Sequence, residues 1–235
     1  MSEWAMKRFW TDVSVEAERD GFTIRLDGRP VRTPAKRHLI APSEAVAQKI
    51  AAEWRAQKEV VDTTTMPWTR TTNAAIDKVA LQRAEVTAHL ASYASTDLLC
   101  YRAEGPSSLI ERQNETWAPI LDWVASEFGV TLQVTQGVMP VDQSPTALRG
   151  LAETMEQMSD FQLTGYHDLV TLTGSFLLGL ATMHEVRPAE DIWSASRVDE
   201  DWQVEQWGED DEAKEHAETK KAAFLHAAEV FSLAR

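Results

Sequence analysis

Between residues 13 and 54 the hydrophobic period changes from two to that of a helix, which confines the chain to folds joining a small sheet to helices. "DVSVEA" and "FTIRL" alternate apolar and polar side chains, and Asp20-Gly21 supplies a turn between them. Asp27-Gly28 gives a second turn, from "FTIRL" into "RPVRTP". Pro30 and Pro34 remove ladder donors, so that last strand belongs at an edge. The period then lengthens. Ser43 is placed to cap a helix in which Val46, Ile50 and Trp54 share one face.

Helical spacing dominates from there. "DTTTMPWTRTTN" reads as a polar connection without periodicity, and a long helix is expected over Asn73 to Tyr93 with Ile76, Val79, Val86 and Leu90 inward. Ser108 and Glu111 have capping-box spacing ahead of a helix whose stripe is Gln113, Trp117, Ile120, Leu121 and Val124, ending before Gly129. Val130 to Thr135, "VTLQVT", reads as a short strand. Ser144-Pro145 opens a helix carrying Leu148, Leu151, Met155 and Met158. "FQLTGYHDLVTLTGSFLLGLATM" is apolar nearly all round and reads as one central buried helix. Its small residues, Thr173, Gly174, Ser175, Gly179 and Ala181, point to close helix packing. Two more helices are expected, from about Pro188 and about Asp210. The expected class is α+β: a β-rich domain over residues 1–68 with one helix, then a larger, mainly helical domain over 69–235. The 130–135 strand is a candidate to join the N-terminal sheet.

Charge narrows the function classes. The net charge is −14, and Arg187 to Arg235 holds six bases against thirteen acids, half of the whole excess. Such a field repels nucleic acid and anionic lipid and attracts basic protein surfaces. Cys100 is the only cysteine, which excludes an intrachain disulfide and a thiolate metal cage; in "DLLCY" it reads as a buried, inert thiol. "HDLVTLTGSFLLGLATMH" is too short and too interrupted to span a bilayer. "MSEWAMKRFW" has neither a secretory apolar region nor transit-peptide character. A cytoplasmic location is expected, or a matrix one after presequence removal.

Signs of catalysis are few. Walker spacing, GxGxxG and HExxH are absent, and the six histidines show no ligand spacing. His184 and Glu185, being adjacent, point to different helix faces. His167, Asp168 and Ser175 make the one arrangement that a small-molecule enzyme with a buried pocket would use, without a GxSxG elbow around the serine. No metal, cofactor or obligatory small molecule is expected.

The unusual feature lies near the C-terminus. From Asp199 to Glu218 the chain carries ten acids and one base, Lys214, around Trp202 and Trp207. Most of the nine tryptophans belong in the core, and Trp54 fits the buried face of its helix. Trp202 and Trp207 are five residues apart among charges, so at least one is expected at a surface, where indole rimmed by charge marks a binding site. A helix macrodipole explains Glu209 to Glu212. It explains Asp199 to Asp201 less well if they end the preceding helix.

The motifs "RFW" (8–10), "LDGRPVRTPAK" (26–36), "EW.AQ" (53–57), "TMPWTR..N.AID" (65–77), "Y.STDLLCYRA" (93–103), "LTGS" (172–175) and "DE..Q...WG.D.EA" (199–213) occur in this order along the chain. Together they resemble the ATP-synthase assembly chaperones that attend the α subunit of the F(1) head, in their bacterial form. The resemblance implies a β-rich domain joined to a helical one, without enzymatic activity. It also implies binding of the free α subunit until the β subunit replaces the chaperone, in the cytoplasm of bacteria or the mitochondrial matrix of eukaryotes. The family's required glutamate maps to Glu200, with Asp199, Trp202, Gln203 and Trp207 as neighbouring partner-binding candidates, and its substitution-sensitive tryptophan maps to Trp54. Ser95 departs from the pattern, where an acid is expected in many relatives. Glu200 has two open roles: a surface contact, or a partly buried structural acid.

Overall fold

The computed structural model describes residues 7–234, so Trp4 lies outside the described residues. The chain forms two compact units: residues 1–83 with 159–165 and 229–235, and residues 84–158 with 166–228.

In the first unit, β1 (Val13–Glu18) and β2 (Gly21–Leu26) form the expected hairpin, with Val13 opposite Leu26 and Val15 opposite Ile24. Two short strands, β3 (Arg29–Pro30) and β4 (Ile40–Ala41), pair with different stretches of β2's other edge. Helix α1 (Glu44–Ala56) begins at Ser43, whose hydroxyl accepts the Val46 amide, and lays Val46, Ile50 and Trp54 into the core with Trp10, Ile24, Leu26 and Leu39. The Trp54 indole meets Trp10 edge-on at 5.1 Å, and Trp10 Nε1 donates to the Trp54 carbonyl.

The Thr-rich stretch is more regular than its composition suggests. It holds a 3-10 turn at Thr63–Thr65 and helix α2 (Pro67–Ala74), entered through Pro67. Met66, at the capping position, has no side-chain acceptor to offer. Glu53 reaches over from α1 instead: its carboxylate accepts the amides of Trp68 (2.6 Å) and Thr69 (2.8 Å) and the Thr69 hydroxyl (2.7 Å). Burial raises the Glu53 pKa, and those hydrogen bonds lower it. Gln57 fixes the same corner, accepting the Asp62 amide at 2.7 Å and donating to the Thr65 hydroxyl. The expected Asn73–Tyr93 helix is therefore three elements: the end of α2, a π turn at Ala75–Val79, and α3 (Arg83–Ser95). The π turn aims Asp77 at the Thr33 hydroxyl and the Ala35 amide, tying down the 33–37 loop. A single apolar stripe cannot reveal such a partner 40 residues away.

In the second unit, α4 (Ser107–Phe128) buries Leu109, Gln113, Trp117, Ile120 and Val124. Pro106 precedes it and no side chain caps it, so the capping box expected at Ser108 and Glu111 does not form. The strand expected over 130–135 shrinks to β6 (Thr135–Gln136), which pairs in parallel with β5 (Tyr101–Arg102) rather than with the N-terminal sheet. Gln143 instead holds the Gln133 backbone through both its amide oxygen and nitrogen. Helix α5 (Pro145–Glu153) follows Ser144, which makes no side-chain cap bond.

The long apolar segment is two helices, α6 (Asp160–Thr173) and α7 (Phe176–Met183), broken where Gly174 takes φ +68°. Gly179 is the packing glycine: a Cβ there would lie 2.8 Å from Val170 Cγ2 and 2.9 Å from Tyr166 Cε2. Helices α8 (Ala189–Ser196), α9 (Val198–Trp207) and α10 (Asp211–Leu233) complete the chain.

Two substitutions test the first unit. Trp54→Arg places a charge where 8% of the side-chain-bearing residue reaches solvent, and should cost several kcal/mol in urea unfolding, on the order of 3–5. Glu53→Ala leaves the α2 amides without an acceptor and should cost roughly 2–3 kcal/mol. A melting temperature within a degree of the parent would refute either expectation.

Candidate functional site

The acidic stretch is organised by an extra helix. Arg197, at φ −108° and ψ 7°, ends α8, and the chain restarts at once as α9. Asp199, Glu200 and Asp201 thus fill the first turn of α9 instead of trailing the previous helix, where the macrodipole favours them. Gly208, at φ +92°, stops the helix just after Trp207, and the Asp210 carboxylate then caps α10 at the Ala213 amide.

Helix α4 holds one side of α9. Gln113, 1% exposed, donates to Asp199 Oδ1 at 2.6 Å while its amide oxygen accepts the Ala103 amide at 2.8 Å. Arg112 forms a two-pronged pair with Glu205 (2.8 and 2.9 Å), and its guanidinium lies 5.1 Å from the Trp202 ring centre. The pair raises the Arg112 pKa and lowers that of Glu205. Buried Arg102 stacks 5.0 Å over Trp117 and spends its hydrogen bonds on the Leu99 carbonyl and Asn114 Oδ1. Burial lowers its pKa.

With that side pinned, the remaining face of α9 is open. Glu200 is exposed and, among the described residues, paired only to Arg197, at 3.1 Å and three residues away. Trp202 is half-buried, Gln203 is exposed, and Trp207 is 80% exposed. Burial raises the Asp201 pKa, with the Arg197 charge acting against it. Two cavities flank the helix. One, of about 710 Å³, lies between α9 and the 101–106 and 137–138 segments and includes Asp199, Trp202, Gln203 and Trp207. The other, of about 520 Å³, lies towards α8 and α10 and includes Glu200, Asp201 and Val204. Trp207 borders both. All five partner-binding candidates therefore line one surface region.

Two features of that region go unread in the sequence: the partner of Gln113 and the 138–139 tip. Gln113 was placed on the apolar stripe of its helix, and a polar residue at a core position is the signal that it has a partner. Val138 and Met139, 92% and 75% exposed, form an apolar tip between Gly137 and Pro140.

The His167, Asp168 and Ser175 arrangement does not assemble. His167 Nδ1 lies 3.1 Å from Asp168, but both side chains are substantially open to solvent. Ser175 is fully buried; its hydroxyl donates to Asp97 Oδ1 at 2.8 Å and accepts the Leu178 amide at the start of α7. None of the three lines either cavity flanking α9. Asp97 also accepts the amides of Leu99 (3.0 Å) and Leu177 (3.0 Å), so "STDLLC" and "LTGS" are one structural joint. Cys100 is buried with its thiol pushed up to about 12, as expected of an inert sulfur. Among the described residues no group of His, Cys, Asp and Glu is arranged to hold a metal, and no helix is long and apolar enough to cross a membrane.

An exposed indole among carboxylates, on a helix braced from behind, has the composition that protein-binding surfaces share in general. The family model described as ATP12 chaperone protein matches residues 7–125. The chain belongs to that family, the assembly chaperones for ATP synthase. It is similar to the crystal structure of Atp12 from Paracoccus denitrificans, with a TM-score of 0.95 and 44% identity over 99% of this chain and all of that one. Protein atp12, mitochondrial, of Schizosaccharomyces pombe is 23% identical across 90% of this chain and 77% of its own length. Protein ATP12, mitochondrial, of Saccharomyces cerevisiae is also 23% identical, across 86% and 76% respectively. The N-terminal strands followed by a mostly helical region match the Atp12 fold.

The Asp97 joint yields a pH prediction. Burial lifts its carboxyl from 3.8 to about 6, against the hydrogen bonds that lower it. The native state then binds more protons than the unfolded state between those values, so this group's contribution to stability falls as pH rises from 4 to 6. Asp97→Asn should remove that slope. The difference between the two stability curves should change by roughly 3 kcal/mol from pH 4 to pH 7. Parallel curves would refute it.

Proposed function

We propose that this chain holds the free α subunit of the F(1) head, shielding a surface that the β subunit later covers. The observation that carries this reading is the open face of α9, with an indole 80% exposed beside three first-turn acids, in a chain of net charge −14. A free subunit of a nucleotide-binding ring exposes arginines and apolar patches, and is prone to aggregate for that reason. Carboxylates with indole edges cover both kinds of surface. Glu200 acts as a contact in this reading: it meets solvent, and its one intramolecular partner is a neighbouring arginine on an exposed face. Asp199, Trp202, Gln203 and Trp207 complete the contact set, while Trp54 serves folding. The protein works without catalysis, metal or cofactor. In this reading its place of action is the bacterial cytoplasm.

Glu200→Gln tests the reading. Its effect on unfolding should stay within about 0.5 kcal/mol, as for exposed ion pairs. Recovery of untagged α subunit with the tagged chaperone should drop several-fold, and addition of β subunit should release α from the parent complex. Full capture by the variant, or a melting temperature lowered by many degrees, would remove Glu200 from the contact surface.

A further inference from the structure

We infer that the 710 Å³ groove between α9 and the 101–106 and 137–138 segments seats an extended client segment with an arginine or lysine flanked by apolar side chains. This rests on the α-subunit reading for the identity of the client, and adds which side of α9 reads it and what chemistry it reads.

Four features of the groove define the occupant. First, its two carboxylates, Glu104 and Asp199, form no ion pair among the described residues; Asp199 accepts a hydrogen bond from Gln113 and its charge also acts on Arg102. The groove's single cation, Arg102, is consumed by the Leu99 carbonyl and Asn114, so an incoming guanidinium or ammonium meets net negative charge. Second, the Glu104 carboxylate lies against Gly137. Gly137 takes φ +83°, and a Cβ there would stand 2.7 Å from Glu104 Oε1, so the carboxylate occupies the space that a side chain would fill.

Third, the indoles are unequal. Arg112 already lies over Trp202, whereas Trp207 makes no ring, cation or hydrogen-bond contact among the described residues and lines the groove, as Val138 does. An arginine between carboxylates can stack on that free face, with an apolar neighbour against Val138. Fourth, Gln203 and Gln206 line the wall with amides that have no partner among the described residues. Side-chain amides that both donate and accept suit an unpaired backbone, which an extended segment presents and a helix does not. The volume falls in the range of sites enclosing small ligands, roughly 300–1,000 Å³, enough for a few residues and too small for a helix.

The test uses the full chain and a fluorescein-tagged octapeptide, one arginine between two leucines in a Gly/Ser background. Anisotropy is compared with that of the same peptide carrying glutamate in place of arginine. The arginine peptide should bind at least tenfold tighter, and more weakly as salt rises from 50 to 300 mM. Trp207→Ala should weaken it tenfold or more, and Glu104→Gln with Asp199→Asn by fivefold or more. Glu153→Gln, the same charge change on an exposed site outside the groove, should stay within twofold. The Asp199→Asn amide oxygen can still accept from Gln113; if that variant nevertheless unfolds, Trp207→Ala and Glu104→Gln alone decide. Equal binding of the two peptides, binding of neither, or indifference to Trp207→Ala overturns the inference. Capture of α subunit by a chain that ignores the peptides removes the groove and leaves the client standing. Peptide binding through Trp207 without α capture does the reverse.

Discussion

Two helix starts, those of α2 and α7, are closed by carboxylates that arrive from elsewhere in the sequence, and each of the two units depends on one of these contacts. A helix opens with amides that have no intrahelical acceptor, and burying them unpaired costs about 1–3 kcal/mol each. Helix α2 begins after a methionine, so Glu53 supplies its acceptor from α1. Helix α7 begins at Ser175, whose hydroxyl serves Leu178 while Asp97 serves Leu177 and orients the serine. Both acids are charged groups in poor solvent, and burial raises the pKa of each. They are tolerable only because several donors converge on them. A helix closed this way is stable only once its distant partner is in place, which couples local structure to packing.

The same economy places the functional face. Helix α4 buries Trp117, Ile120 and Val124 on its inner side, while its flank carries Arg112 and Gln113. Those two residues fix the rotation of α9 about its axis. Arg112 covers Trp202 while pairing with Glu205, and Trp207 is left outward. The exposed indole is thus a consequence of which residues on α9 find partners on α4.

What could be read from the sequence follows from the range of the interaction concerned. The hairpin and α1 rest on alternation, Asp-Gly turns and a serine cap, all within a few residues, and they form where expected. The class, a small sheet joined to a mostly helical region, follows from the same local periods. Three of the departures share one cause. The π turn at 75–79 exists where Asp77 meets Thr33 and Ala35, the break at Gly174 lets Asp97 reach Ser175 and Leu177, and the 130–134 backbone is held by Gln143 instead of a neighbouring strand. Each is a polar contact between residues at least ten apart, invisible to a hydrophobic period. At the site, composition signalled an exposed tryptophan among acids. It could not say that Arg197 divides α8 from α9, and hence that Asp199 to Asp201 begin a helix rather than end one.

The charges around α9 fall into two groups, and the division bears on how such a surface can both capture and let go. Glu205 is neutralised by Arg112, Glu200 is shared with Arg197, and Glu209 with Lys214, so much of the local negative charge is already paired. Paired acids still add to the long-range field of a chain at −14, which speeds encounter with a basic surface. Each gains less on contact than a free acid would, because it must exchange an existing partner for a new one, and Glu200 has only the neighbouring Arg197 to exchange. Close-range attraction comes also from acids that form no ion pair among the described residues, Glu104, Asp199 and Asp201, and from the Trp207 indole, which borders both cavities. Fast encounter with few strong contacts gives a complex formed readily and yielded to a partner that buries more surface, which is what a temporary occupant of a subunit interface requires.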